Sequence, residues 1–244
     1  MKTYTKLLLT PFLLLAVGLL IGCASTKETL VPGKTVPGHP DKLAKHYRTP
    51  DRRKIYIGPA KVIDGRLVFK APHMDTCWIA KGFDFTGYDV LYISTTVAGA
   101  KKSPEDTVIE QVAGDTLQTH LKEMLDAKGI FVSIAVEEPA TKPGVKVLTL
   151  TNTIVDFSKG NEVGRYFAGI FGGGQPDLRV HGVATDGNKV VFDYVIHRSG
   201  TSFAAFTDTG GRRNEYLQYL DIHSMVLDLT DFIAAIAGKY QPLY

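Results

Sequence analysis

The sequence predicts an α/β (α+β) fold: a mixed or largely antiparallel sheet of about five strands, with two main helices packed on one face. Three observations carry this reading. Residues 105–127 and 221–237 each place apolar side chains at helical spacing. Residues 145–157 alternate between two faces over a length that suits a strand. Residues 177–185 and 189–197 flank Asp186-Gly187-Asn188, a hairpin signal.

Residues 1–22 precede the fold. Lys2 and Lys6 form a short positive region, Leu7 to Leu20 is nearly continuous apolar sequence, and Leu20-Ile21-Gly22 leads into Cys23. That order reads as a secretory signal. Spanning a bilayer takes about 20 apolar residues, and this run is shorter. Leu20-Ile21-Gly22-Cys23 resembles the lipobox of bacterial lipoproteins. The resemblance implies cleavage before Cys23 and acylation of its thiol and new amine. Ala24, rather than an aspartate, follows the cysteine, which by the same resemblance points to the outer membrane, facing the periplasm. Several acyl chains on one residue make a stable anchor.

Residues 23–54 are expected to be the lipidated cysteine and a flexible tether. Pro32, Pro37, Pro40 and Pro50 lie among glycines and charges, and apolar residues show no period. Arg52-Arg53-Lys54 reads as a solvated flank or a contact to anionic headgroups. The remaining chain, 55–244, is long enough for one domain with a substantial core. Its first part, 55–87, is expected to be an irregular extension, with two short strands flanking Asp64-Gly65 and an apolar stretch from Cys77 to Ala80.

Regular structure is expected from Tyr88. Tyr88–Ser94 is β-branched and aromatic, hence a strand. Ser103 suits an N-cap, with Pro104 at the first helical position. Positions 109, 112, 113, 117, 121, 124 and 125 then form the apolar stripe of the first helix, which ends at Lys128-Gly129. Ile130–Glu137 reads as another strand. In the long strand that follows, Val145, Val147, Thr149, Thr151, Thr153 and Val155 share one face, and Leu148, Leu150 and Ile154 the other. Gly160 to Gly174 is glycine-rich, the hairpin follows, and Phe203–Phe206 is a candidate short strand. The last helix, starting between Arg213 and Asp221, buries Ile222, Met225, Val226, Leu229, Phe232, Ile233 and Ile236 and stops at Gly238.

Charge excludes one class of function. The chain has 28 Lys plus Arg and 25 Asp plus Glu. Removing residues 1–22 takes two lysines, leaving 26 against 25, so no basic surplus supports nucleic-acid binding.

Candidate chemistry is sparse. Gly169 and Gly172-Gly173-Gly174 lack the lysine and hydroxyl residue of a phosphate loop. Their backbone N–H groups, with Arg165 nearby, either cradle an anion or partner, or pack a short helix closely against a sheet. His73, Asp75 and Cys77 are weak candidates for metal ligation; no metal and no cofactor is expected. Cys77 is either a buried small hydrophobe or, as the one thiol left after lipidation, available to a second chain. His181 and His197 are expected to face each other across the hairpin. No catalytic constellation emerges.

From Tyr88 to the last helix, the chain resembles an uncharacterised bacterial lipoprotein family, domain of unknown function 4410. The residues that carry it are Asp156-Phe157-Ser158-Lys159-Gly160, Arg165, Tyr166, Gly169, Gly172-Gly173-Gly174 and the Asp186-Gly187 turn. The resemblance implies a small α/β lipoprotein domain. The expectation is therefore a lipid-anchored, periplasm-facing binding or assembly protein without catalytic activity, engaging another envelope component or itself. An envelope hydrolase acting on wall or lipid material, and a subunit of an oligomeric secretion or pore complex, are the alternatives.

Overall fold

The computed structural model describes residues 46–58, 60–71, 73–99, 104–140, 142–158, 160, 176–199 and 214–243. They fall in the second of two compact units of the chain, Thr35–Tyr244. Ser103, residues 161–174 and Phe203–Phe206 lie outside them.

Twelve strands and two long helices follow one another. They are β1 (His46–Arg48), β2 (Lys54–Tyr56), β3 (Lys61–Ile63), β4 (Arg66–Val68), β5 (Met74–Ala80), β6 (Val90–Ile93), β7 (Val97–Ala98), α1 (Pro104–Lys128), β8 (Ser133–Ala135), β9 (Val147–Ser158), β10 (Asp177–Asp186), β11 (Lys189–Ser199), α2 (Asn214–Ile236) and β12 (Gln241–Leu243).

The main sheet has nine strands, not about five. Its order is β3-β4-β5-β11-β10-β9-β6-β8, with β7 also beside β9. The surplus comes mainly from residues 61–80, expected to be irregular. Asp64 and Gly65 both have positive φ (49° and 72°), so they close a tight hairpin between β3 and β4. Met74–Ala80 then runs antiparallel to β11. Three-residue strands show too little alternation to be read as strands in sequence. β6 and β8 run parallel because α1 carries the chain back between them. β6 and β7 also run parallel to β9, and across the sheet from β3 to β9 every pair is antiparallel.

The alternation of β9 holds until a bulge. Ile154 opposes Val180 and Asp156 opposes Arg179, so Val155 is the extra residue. That step reverses the parity. It is why Phe157, rather than Asp156, enters the core beyond Leu148, Leu150 and Ile154.

Both helices contact the sheet and each other. α1 buries Ala113, Leu117, Leu121 and Leu125, and Gly129 at φ +58° ends it. Val112, expected in its stripe, is 59% exposed, in a groove between the helices shared with Val108 and Tyr219. α2 buries the expected stripe and more, including Ala234, Ala235, Thr230 and Asp231. Phe69, Phe232, Phe192 and Phe85 link it to the sheet through ring centroids 5.4–6.1 Å apart.

Residues 46–54, expected to belong to the tether, are structured. β12, β1 and β2 form a small antiparallel sheet that joins the start of the described chain to its end. Tyr47 is fully buried there. Arg53 is no solvated flank: it pairs with Asp51 and, at 3.0 Å, with buried Asp231.

At the sheet centre, Asn152, Gly182 and Tyr194 are register partners on β9, β10 and β11. Tyr194 lies across Gly182 and donates to Asn152 Oδ1 at 2.6 Å. A Cβ on residue 182 would sit 2.1 Å from the Tyr194 ring. Glycine is required there by close approach, not by φ.

Removing the hydroxyl strands a buried acceptor, so Tyr194→Phe is expected to cost about 1–3 kcal/mol in urea denaturation. Gly182→Ala, which displaces the ring and loses the same bond, is expected to cost at least as much. An unchanged midpoint for Gly182→Ala contradicts this packing.

Candidate functional site

The helices cover one face of the main sheet. Alternation places a different set of side chains on the other. Along one row, Thr151 opposes Val183, Val183 opposes Asp193, Asp193 opposes Trp78, and Trp78 opposes Val68. The next row runs Thr153, His181, Val195, Thr76. Beyond it, Asp156, Arg179 and His197 are aligned. Thr149, Thr185 and Tyr92 complete the near end. Most of these side chains are partly exposed, and none belongs to the core. The threonine side of β9, read from sequence as one face, is the middle of this platform.

Its charges are matched in pairs. His181 Nε2 lies 3.1 Å from Asp193, His197 Nε2 lies 3.1 Å from Asp177, and Arg179 Nε lies 3.3 Å from Asp75. The Arg66 guanidinium sits over the Trp78 ring, 4.2 Å from its centroid. Ser94 donates to the Thr151 hydroxyl at 3.1 Å. His181 and His197 share the face but oppose Val195 and Arg179, not each other. Exposed ion pairs contribute only about 0–1 kcal/mol each. Such pairs exchange with other polar groups at little cost. The platform presents hydroxyls, carboxylates, imidazoles and two aromatic side chains, Trp78 and Tyr92.

A separate cleft of ≈ 420 Å³ opens where the small sheet meets α2. Arg53, Tyr56, His73, Asp228 and Asp231 line it. Its carboxylates are already engaged: Asp228 pairs with Arg198, and Asp231 pairs with Lys128 at 2.7 Å and with Arg53. His73 stands in the left-handed region, φ +64°, and its carbonyl accepts from His197 N at 3.4 Å. Desolvation against the cleft, and secondarily the Arg198 charge, lower its pKa below the ordinary histidine value.

The weak metal candidates are not brought together. His73 belongs to the cleft, Asp75 reaches Arg179 on the open face, and Cys77 is 1% exposed in the core. Burial pushes the Cys77 thiol up. Among the described residues, no group of three or more His, Cys, Asp or Glu is placed to hold a metal. Cys23, Arg165, Gly169, Gly172, Gly173 and Gly174 lie outside the described residues. Trp78, Arg66, Asp177 and Asp193 escaped sequence reasoning. They join the platform only through strand pairing, although the alternation of 189–197 already placed Asp193 and His197 on one side.

The Domain of unknown function (DUF4410) family model matches residues 81–211. No curated protein matches the chain. Among solved structures, it is similar to a PelC dodecamer from Paraburkholderia phytofirmans, with 14% identity over 58% of this chain and 88% of that one, TM-score 0.38. It is also similar to protein XCC0632 from Xanthomonas campestris, of family DUF330, with 11% identity over 62% and 86%, TM-score 0.39. A minor lipoprotein from Acinetobacter baumannii is 16% identical over 64% and 98%, TM-score 0.32. At TM-scores below 0.5 these likenesses carry nothing about function to this chain.

For His73 the unfolded chain takes up a proton first as pH falls. Its contribution to stability is thus intact above the ordinary value of 6.5 and is lost as pH falls through the lower folded value. An NMR titration is expected to place its midpoint below that of a peptide histidine, and Arg198→Gln is expected to raise it. A midpoint at or above the peptide value contradicts the placement of His73.

Proposed function

We propose that this chain, which belongs to the DUF4410 family, is a lipid-anchored, periplasm-facing envelope protein that works by binding rather than by catalysis. The observation that carries the reading is the open sheet face. It is broad, polar and paired only by weak surface bonds, and no described helix covers it. The cleft beside α2 holds its carboxylates in ion pairs that tie elements together. Spent in that way, they are poor general bases.

Anchoring rests on residues 1–23. Lys2, Lys6, the apolar run and Leu20-Ile21-Gly22-Cys23 supply the order of a lipoprotein signal. No helix among the described residues is long and apolar enough to cross a membrane. Acyl chains on Cys23 would hold the domain at the surface of the outer membrane. Residues 24–45, with three of the four prolines of the 23–54 stretch, would set its distance from that surface. A tethered domain with a polar platform gains affinity from proximity, because the tether raises the effective concentration of any partner in the same envelope.

Two measurements test this together. Mass spectrometry of the mature product is expected to show a lipidated N-terminal Cys23, and Cys23→Ser is expected to abolish lipidation and the processing that depends on it, so that the product changes in mass and no longer fractionates with the outer membrane. A photocrosslinking residue at position 151 or 153 is expected to capture an envelope component in intact cells. The same residue at position 126, on the outer side of α1, is expected not to. Unchanged mass and fractionation of Cys23→Ser overturn the anchor, and equal capture from both faces overturns the platform.

A further inference from the structure

The nine-stranded sheet has two ends. β3 lies at one and β8 at the other, and each is paired on a single side among the described residues. Unpaired edges template pairing with another chain, and proteins ordinarily blunt them with charge or cover. Here both edge strands are short and β3 begins with exposed Lys61, but both edges also carry exposed β-branched residues. Val62 and Ile63 of β3 are 55% and 49% exposed, and Val132, just before β8, is 85% exposed.

The two edges also match in facing. Val62 opposes Leu67, whose side chain enters the core, so Val62 lies on the helix side of the sheet. Ile134 opposes Leu91, likewise buried, so it lies on the helix side as well. Antiparallel pairing of Val62 with Ile134 of another copy continues that apolar layer. It sets Ile63 beside Ser133 and Lys61 beside Ala135 on the open face. In this register Lys61 lies at the end of β8 from which the chain continues to Glu137 and Glu138, two and three residues past the strand. All three are exposed, so the ends are complementary in charge as well as in facing.

We propose that a second copy of this chain occupies the β3 edge with its β8 edge, so that the main sheet continues from one molecule to the next. The two surfaces differ, so the contact is heterologous, and repeating it gives a closed ring or an open row. This goes beyond the open-face reading and stands on separate residues, so either can fail alone.

The test uses the full chain in detergent, with Ile63→Cys in one preparation and Ser133→Cys in another. Cys77 is buried and does not compete, and Cys23 is replaced by serine in every preparation, so that only the introduced thiols can link. Mild oxidation of the mixture is expected to give disulfide-linked dimers that neither variant gives alone, and the double variant is expected to give a ladder. Lys61→Glu is expected to weaken association about tenfold by light scattering, through like-charge repulsion. Adding Glu137→Lys is expected to restore it, with unchanged thermal melting throughout. Wild-type protein that is monomeric by light scattering overturns the proposal. So do linkage of Ile63→Cys to itself, and failure of the mixed sample to crosslink.

Discussion

One buried carboxylate holds the ends of this domain together. Asp231, 1% exposed, sits on α2 and accepts from Lys128, at the end of α1, and from Tyr240, just before β12. Arg53, at the start of β2, pairs with it from the other side. The start of the described chain, the end of α1 and the segment after α2 thus converge on one group. Buried charges are tolerated only when paired and hydrogen-bonded, and removing one partner from such a set costs about 3–5 kcal/mol. The three strands of the small sheet have three residues each. Strands that short hold poorly by their own pairing. The Asp231 network, together with the burial of Tyr47 on β1, is what makes them part of the domain.

That constraint bears on function through geometry. The Asp231 network ties the small sheet to both helices, and the helices are packed on the covered face of the main sheet. The opposite face stays free of structural duty. The contrast between its charges and Asp231 is instructive. His181, His197 and Arg179 pair with carboxylates where water competes, and such pairs exchange readily. Asp231 pairs where water does not, and its contacts are structural.

Much of this was legible in the sequence wherever a pattern ran for several turns or pleats. Both helices, the β9 alternation, the β10–β11 hairpin and the glycine stops at 129 and 238 follow from periodicity and turn chemistry, and the structure has them. What escaped was short or nonlocal. β1 looked like linker because a three-residue strand has no period and Pro50 follows it, whereas β2 falls in Lys54–Gly58, which reads as a short strand but pairs with β1 rather than across the Asp64-Gly65 turn. β3 is as short, while Leu67–Lys70 reads as a strand that overlaps β4, and Asp64-Gly65 marks the turn between them; in β5, seven residues long, Asp75 and Thr76 are both exposed and break the alternation. The bulge at Val155, the passage of Tyr194 over Gly182 and the role of Arg53 depend on partners distant in sequence. The platform was half visible: its threonines share one strand, whereas Trp78, Arg66 and Asp193 join them only by pairing. Of the residues singled out for a site, Arg165 and the glycines after it lie outside the described residues.

The most direct test of this account is native-state hydrogen exchange in the small sheet, comparing wild type with Asp231→Asn. The account predicts that amides of β1 and β12 exchange slowly in wild type. In the variant they should exchange at least tenfold faster, while those of β9, β10 and β11 stay protected. Equal protection of β1 and β12 in both proteins would mean that the ends are held by something other than Asp231.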